Sequence, residues 1–152
     1  MKIKSYKDLN IWKRSIGVVE DIYKITKNFP KEEIYGLTSQ LRRSAVSIPS
    51  NIAEGFTRFH NKEYRQFLYI SLGSCAELNT QIIISSHLNY LSSENAERIL
   101  NEIDEISRMM MGLIKKLNTN DYILICFVKL FPCFFVSYTE NQKLKILAEQ
   151  AK

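Results

Sequence analysis

Apolar residues recur every three or four positions in four stretches of the chain, and this period predicts four helices. The first runs from about Asp8 to Asn28, with Leu9, Trp12, Ile16, Val19, Tyr23 and Thr26 on one stripe. Phe29-Pro30 closes it, because proline disfavours helical geometry at the residue before it. The second runs from about Glu33 to Phe59, with Leu37, Leu41, Ala45, Ile48, Ile52, Phe56 and Phe59 aligned. Pro49 lies inside it and removes the hydrogen bond to the Ala45 carbonyl, which predicts a kinked helix, with a true break as the alternative. The third follows Asn61, read as its N-cap with Glu63 in the first turn. Its stripe is Tyr64, Phe67 or Leu68, Ser71, Cys75, Leu78, Ile82 and Ser85, continuing to Leu88 and Leu91. Ser92-Ser93 caps the fourth, whose stripe is Ala96, Ile99, Ile103, Ile106, Met110, Leu113 and Leu117. Glu94, Glu97 and Glu102 crowd its start and Lys115 and Lys116 its end, which complements the helix dipole.

The links between these stretches are short, so neighbouring helices run antiparallel. The economical architecture is all-α, an up-down-up-down four-helix bundle over residues 1–118. Asn118-Thr-Asn-Asp121 reads as a helix stop. Beyond it, residues 119–152 form a C-terminal extension: Tyr122–Tyr138 is dense in apolar residues without a clean period, and Glu140–Lys152 is polar and helix-capable. The run Ile123–Tyr138 is interrupted by Lys129 and Pro132 and falls short of the about 20 apolar residues of a spanning helix. Phe67–Leu91 is nearly uncharged, but Glu77 and its Ser, Asn and Gln residues make it a poor span, so no membrane partner is expected.

Composition narrows the class. A chain of 152 residues is one domain in length, and 45% hydrophobic with 24% charged residues is ordinary globular usage. Five Gly and three Pro leave little for turn-dense β architecture. Three cysteines without CxxC spacing argue against a disulfide framework or a zinc site and fit a reducing cytoplasm. The chain also opens on charged residues without an apolar leader.

Catalytic signatures are missing. Metal sites inside such bundles use Glu-x-x-His pairs, and neither His60 nor His87 has a glutamate three residues earlier. P-loop, GxGxxG, GxSxG and HExxH motifs are absent, and Cys75 reads as a small buried hydrophobe. The expectation is a non-enzymatic protein with no metal, no cofactor and no small-molecule substrate.

Two features point to binding instead. The second helix carries a further stripe of Gln40, Arg43 or Ser44, Ser47, Asn51, Glu54 and Arg58, small and amide-rich where a solvated face carries long charged side chains. Gly73, Ser74, Glu77 and Gln81 of the third helix offer a match. Such a stripe is a polar layer between helices of one subunit, a solvated surface, or a subunit interface with Glu54 or Glu77 paired to an arginine such as Arg43. The second feature is charge. The chain carries +5, and residues 1–30 hold seven bases against three acids. Lys13 and Arg14 of that region, with Arg42, Arg43, Arg58 and Arg65, are candidates for phosphate contact, and Tyr35, Phe59 or Tyr64 could stack on unpaired bases. Ordinary solubility with internal pairing, for example Glu54 with Arg58, explains the same charges.

The run from Phe29 to Arg58, with LRRSAVSIPSNIAEG at its centre, resembles the signature of a bacterial family, the 23S ribosomal RNA intervening-sequence proteins. Leu9-x-x-Trp12, Phe67-Leu68, the stretch Gly73–Leu78, and Arg108–Leu117 fit the same pattern, which covers about residues 5–118. The resemblance implies an up-down bundle, often counted among ribosomal proteins, that assembles as a ring-like homopentamer. A relative, the accessory variability protein of diversity-generating retroelements, uses a basic surface to bind nucleic acid and a reverse transcriptase. Arg42, Arg43, Asn51, Glu54, Gly55, Arg58, Gly73 and Glu77 are the positions here that match the motif. The expected function is a cytoplasmic oligomer that binds RNA, or DNA, or a nucleic-acid-processing partner such as a reverse transcriptase or ribosomal component. The alternative is an oligomeric interaction scaffold without nucleic-acid binding.

Overall fold

The computed structural model describes residues 4–58 and 60–130, with side chains through residue 118. Among the described residues there are four α-helices and no strand: α1 (Asn10–Ile25), α2 (Leu37–Phe56), α3 (Asn61–His87) and α4 (Ser93–Leu130). The chain divides into two compact units, Met1–Lys115 and Lys116–Lys152. Of the second, the described part is the continuation of α4 to Leu130. The polar end 140–152, the apolar run beyond Leu130 and Phe59 lie outside the described residues.

Within the first unit, cross-helix contacts fix the order of the bundle. Arg42 of α2 donates its Nε–H to Thr26 Oγ1 at 2.9 Å, just past the end of α1. Ser44 reaches Gln81 and Ser47 meets Ser74 across the α2–α3 seam. Arg14 and Asp21 of α1 pair with Glu102 and Arg98 of α4. In the α2–α3 and α1–α4 seams the numbers rise on one helix as they fall on the other, so these neighbours are antiparallel. The enclosed core includes Ile22, Leu41, Ile48, Leu78, Ile82 and Ile103, each essentially inaccessible. Burying side chains of this size contributes about 1.5–3 kcal/mol apiece.

The structure revises several boundaries. The buried side of α1 is Ile11, Ser15, Val18 and Ile22, one residue away from the expected Trp12, Ile16, Val19 and Tyr23. Helix α1 touches neighbours on both sides, which widens the apolar stripe. Its flanks take the aromatics: Trp12 lies edge-on to Tyr6, and Tyr23 lies outside under the Arg42 guanidinium. The second helix starts at Leu37 and not at Glu33, because Lys31–Ile34 closes into a 3-10 turn. Glu33 then accepts the Leu37 N–H at 2.9 Å, the work of an N-cap side chain performed from four residues back. Helix α2 is assigned without interruption through the buried Pro49, so the alternative of a break is not realised. One residue earlier, the Ile48 carbonyl receives the Ser71 hydroxyl at 3.0 Å, which ties α3 to α2 beside the proline. His60, not Asn61, occupies the N-cap position of α3, and it makes no side-chain cap. The stop expected at Asn118–Asp121 is absent, and α4 continues to Leu130. Asn, Thr and Asp each disfavour a helix by no more than about 0.7 kcal/mol relative to alanine, and none has the steric veto of proline. Near the end of the first unit Ile114 fills the core, with Leu113 half-buried.

Candidate assembly and nucleic-acid surfaces

The polar stripe of α2 faces α3 within the same subunit. Ser44 donates to Gln81 Oε1 at 2.8 Å, the Ser47 and Ser74 hydroxyls are 2.9 Å apart, and Arg43 reaches Glu77 at 2.8 Å. Gln81 also donates to Glu77 at 3.1 Å, and Asn51 turns back to the Ser47 carbonyl at 2.8 Å. Serines at 44, 47, 71 and 74 let the two backbones approach, and each hydroxyl has a partner. Gly55 serves the same seam: a Cβ there would stand 2.7 Å from Phe67 Cβ and 2.8 Å from the Tyr64 ring. Of the five residues read as a polar layer or interface, Ser47, Asn51 and Glu77 join this layer. Glu54 does not; it is exposed and pairs with Arg58 one turn later. Gly73 points outward with nothing within 4 Å of where a Cβ would be.

The six basic candidates do not form one patch. Arg14 lies on the α1–α4 seam, where Glu102 takes its Nε and Nη2 at 2.7 and 2.8 Å and Glu105 stands 4.0 Å away. The hydrogen bonds hold Glu102 below the usual carboxylate range and push Arg14 further up. Arg42 is held by Thr26 with its guanidinium 4.9 Å above the Tyr23 ring, and Arg43 is drawn to Gln40 and Glu77. Arg58 pairs with Glu54 and lies 5.0 Å over Phe67. Lys13 is exposed on α1. Arg65 lines a shallow groove on the first turns of α3 with Lys62, Gln66, Tyr69 and Ile70. The structure thus brings Arg58, Lys62 and Arg65 to one end of the bundle, and leaves Arg14 and Arg43 on opposite seams. Tyr64, a proposed stacking residue, is packed against Phe56, and burial pushes its hydroxyl up to about 12. Tyr35 is 95% exposed.

Burial pushes the Cys75 thiol up to about 11, opposite to what a nucleophile needs. His60 and His87 are exposed, and among the described residues no group of three or more His, Cys, Asp or Glu is placed to hold a metal ion.

The feature that periodicity missed is the outward face of α3. Tyr69, Ile70, Ile83, Ile84 and Leu88 are 43–54% exposed, with Gly73, Ala76 and Thr80 exposed between them. From Gln66 to Leu88 that face carries no charged residue; Glu77, half-buried, turns aside to Arg43. The signal was present in the sequence as the near absence of charge on every side of the segment. Among the described residues α3 is the one helix long and apolar enough to cross a membrane by length and composition, yet its inner side packs in the bundle through Leu68, Cys75, Leu78 and Ile82.

The profile of the 23S rRNA-intervening sequence protein family matches residues 7–112. The chain belongs to that family. A solved structure with the same fold is that of a protein with unknown function from the S23 ribosomal protein family of Bacteroides thetaiotaomicron. It superposes with a TM-score of 0.65 at 23% identity, over 69% of this chain and 98% of that one. Among curated proteins none matches. The stretch shared with the intervening-sequence family takes in the serine-lined α2–α3 seam, the arginine pairs and the outward face of α3.

Proposed function

We propose that this intervening-sequence family protein is a non-enzymatic, self-assembling helical scaffold, and that the outward face of α3 is the surface through which copies meet. The observation that carries the proposal is that uncharged, apolar face. Contiguous exposed apolar surface marks an interaction site on a folded protein. A second copy is the occupant that fits, because a face without charge meets its own kind without repulsion or unpaired ions. Gly73 adds an independent reason. A glycine in mid-helix disfavours folding by about 0.5–1 kcal/mol relative to alanine, and nothing inside the subunit needs its small size. Close approach from outside gives it a use. Light scattering on the full chain tests the proposal: the wild type is expected as an oligomer, and Ile84→Glu as a smaller species with unchanged helix content. A wild-type chain that stays monomeric at 100 µM (about a hundredfold above a micromolar dissociation constant) refutes it.

A second reading, RNA binding, is favoured by Arg58, Lys62 and Arg65 at one end of the bundle with Tyr69 beside them. Bases beside an exposed ring suit a single-stranded backbone with a stacked base. The family's name, which ties it to an intervening sequence of 23S rRNA, adds to this reading. Retention of ribosomal RNA fragments at several salt concentrations tests it. Binding that weakens steeply with salt and is lost in Lys62→Gln/Arg65→Gln supports it, and no retention at low salt refutes it.

A further inference from the structure

Arg42 and Arg43 are consecutive on α2 and part to opposite seams. Arg43 turns toward α3, where Glu77 accepts its Nη2 hydrogen bond at 2.8 Å. Arg42 turns toward α1, where its Nε–H bonds Thr26 Oγ1 at 2.9 Å and its guanidinium lies 4.9 Å above the Tyr23 ring. Thr26 is itself fixed, donating its hydroxyl to the Ile22 carbonyl at 2.8 Å. The two arginines differ in what becomes of their charge. Arg14, Arg43, Arg58, Arg98 and Arg108 each meet a glutamate or an aspartate. Arg42 is held by a hydroxyl and a ring, both neutral, and among the described residues no carboxylate pairs with it.

Such a guanidinium is oriented without being neutralised. Its full charge is available, and the conformational freedom that an arginine loses on meeting an anion is already lost. With Nε taken by Thr26, the two Nη groups form a fork that matches the two oxygens of a carboxylate. The surroundings are apolar. Tyr23 is 43% exposed, Val46, one turn further along α2, is 40% exposed, and Val19, one turn back along α1, is half-buried. They also separate one anion from another. A nucleic-acid backbone is held by several cations together. Here Arg43 is committed to Glu77 and Lys24 stands 3.6 Å from Asp21, so Arg42 gains little support beyond exposed Lys27, next to Thr26 in the chain. A single oriented cation amid apolar side chains suits a single carboxylate that arrives with apolar neighbours.

We propose that Arg42 is the docking point for a different protein, and that its ligand is an aspartate or glutamate side chain flanked by apolar residues, which rest on Tyr23, Val19 and Val46. Tyr23 and Thr26 act as positioning residues that aim the guanidinium. The site lies on the α1–α2 seam and does not depend on assembly through α3, so either reading can fail alone.

The test presents the full chain with a displayed library of random peptides. The wild type is expected to enrich peptides that carry an aspartate or glutamate beside leucine, isoleucine or phenylalanine. An enriched peptide should bind Arg42→Gln at least about tenfold more weakly, the loss expected for a hydrogen bond between charged groups. Replacing the peptide's acid with its amide should weaken binding to the wild type equally. Arg43→Gln should bind as the wild type does. Arg42→Lys keeps the charge and loses the fork, and should bind several-fold more weakly with the same helix content, which separates the site from the fold. Enriched peptides without a shared acid overturn the proposal, as does a library that enriches nothing over the Arg42→Gln chain. An Arg42→Gln chain whose assembled mass falls overturns it too, and assigns the guanidinium to a second copy. Loss of ribosomal RNA retention in Arg42→Gln likewise overturns it and assigns the guanidinium to phosphate.

Discussion

Ser44 on α2 donates its hydroxyl to Gln81 on α3 at 2.8 Å, with both side chains buried. The pair decides how the polar stripe is used. Turned toward α3, it positions two helices of one subunit, and the outer surface of α3 is left for other contacts. Ser44→Ala leaves a buried amide oxygen unpaired, which destabilises by about 1–3 kcal/mol. Urea unfolding is expected to show that loss, with much of it recovered in Ser44→Ala/Gln81→Leu. A single variant indistinguishable from wild type would remove the layer from the account.

Two glycines should respond in opposite directions. Gly55→Ala forces a methyl into Phe67 and Tyr64, and overpacking of this kind destabilises by about 1–3 kcal/mol. Gly73→Ala meets nothing and should raise the stability of dilute chain by about 0.5–1 kcal/mol. Thermal unfolding of both checks the pair; shifts of the same sign contradict the placement of one of them.

Cys75 should behave as an inert thiol. Desolvation holds it near pKa 11, above the about 8.5 of an unfolded cysteine. A raised value means its contribution to stability is complete below about pH 8.5 and is lost as the pH rises toward 11. In a chain lacking Cys126 and Cys133, iodoacetamide at pH 8 should modify Cys75 at the rate of unfolding, and much faster in urea. Rapid labelling of the native protein would mean that the α3–α4 seam opens.

The Arg14–Glu102 pair sets an acid dependence of the opposite sense. The hydrogen bond from Arg14 lowers the Glu102 value, with burial opposing it. A lowered value gives stability that is present above the unfolded carboxylate value of about 4.3 and fades as the pH falls through the folded one. The melting temperature of Glu102→Gln should therefore lie below that of wild type at pH 7, and the gap should close in acid. The pair is partly solvated, so the gap is small and shrinks with salt.

Four helices were legible because heptad-like spacing of Ile, Leu and Val survives in every segment, and α4 kept its stripe from Ala96 to Met110. The face of α1 was displaced by one residue because Trp12 and Tyr23 are large and apolar yet sit on flanks, while Ser15 carries the core with its hydroxyl on the Trp12 carbonyl. Helix α4 runs past the expected stop because Asn118–Asp121 is a run of weak helix formers without a proline. Among the site residues, sequence brought out Arg43, Ser47 and Asn51 as one stripe of the second helix with Glu77 of the third as its match, and left open whether that stripe faces a helix of the same subunit or another copy. The arginines were legible as charge but not as pairs, since Glu102 lies 88 residues from Arg14 and Glu77 lies 34 from Arg43. The outward face of α3 escaped notice because its Ile and Tyr residues belong to no single stripe.

The central claim is that copies of this protein meet through α3. Sedimentation equilibrium of wild type beside Gly73→Leu addresses it most directly, because position 73 is open, exposed and without any internal role. The account predicts a concentration-dependent oligomer for the wild type and a helical monomer for the variant. Equal masses for the two, at every concentration, would contradict it.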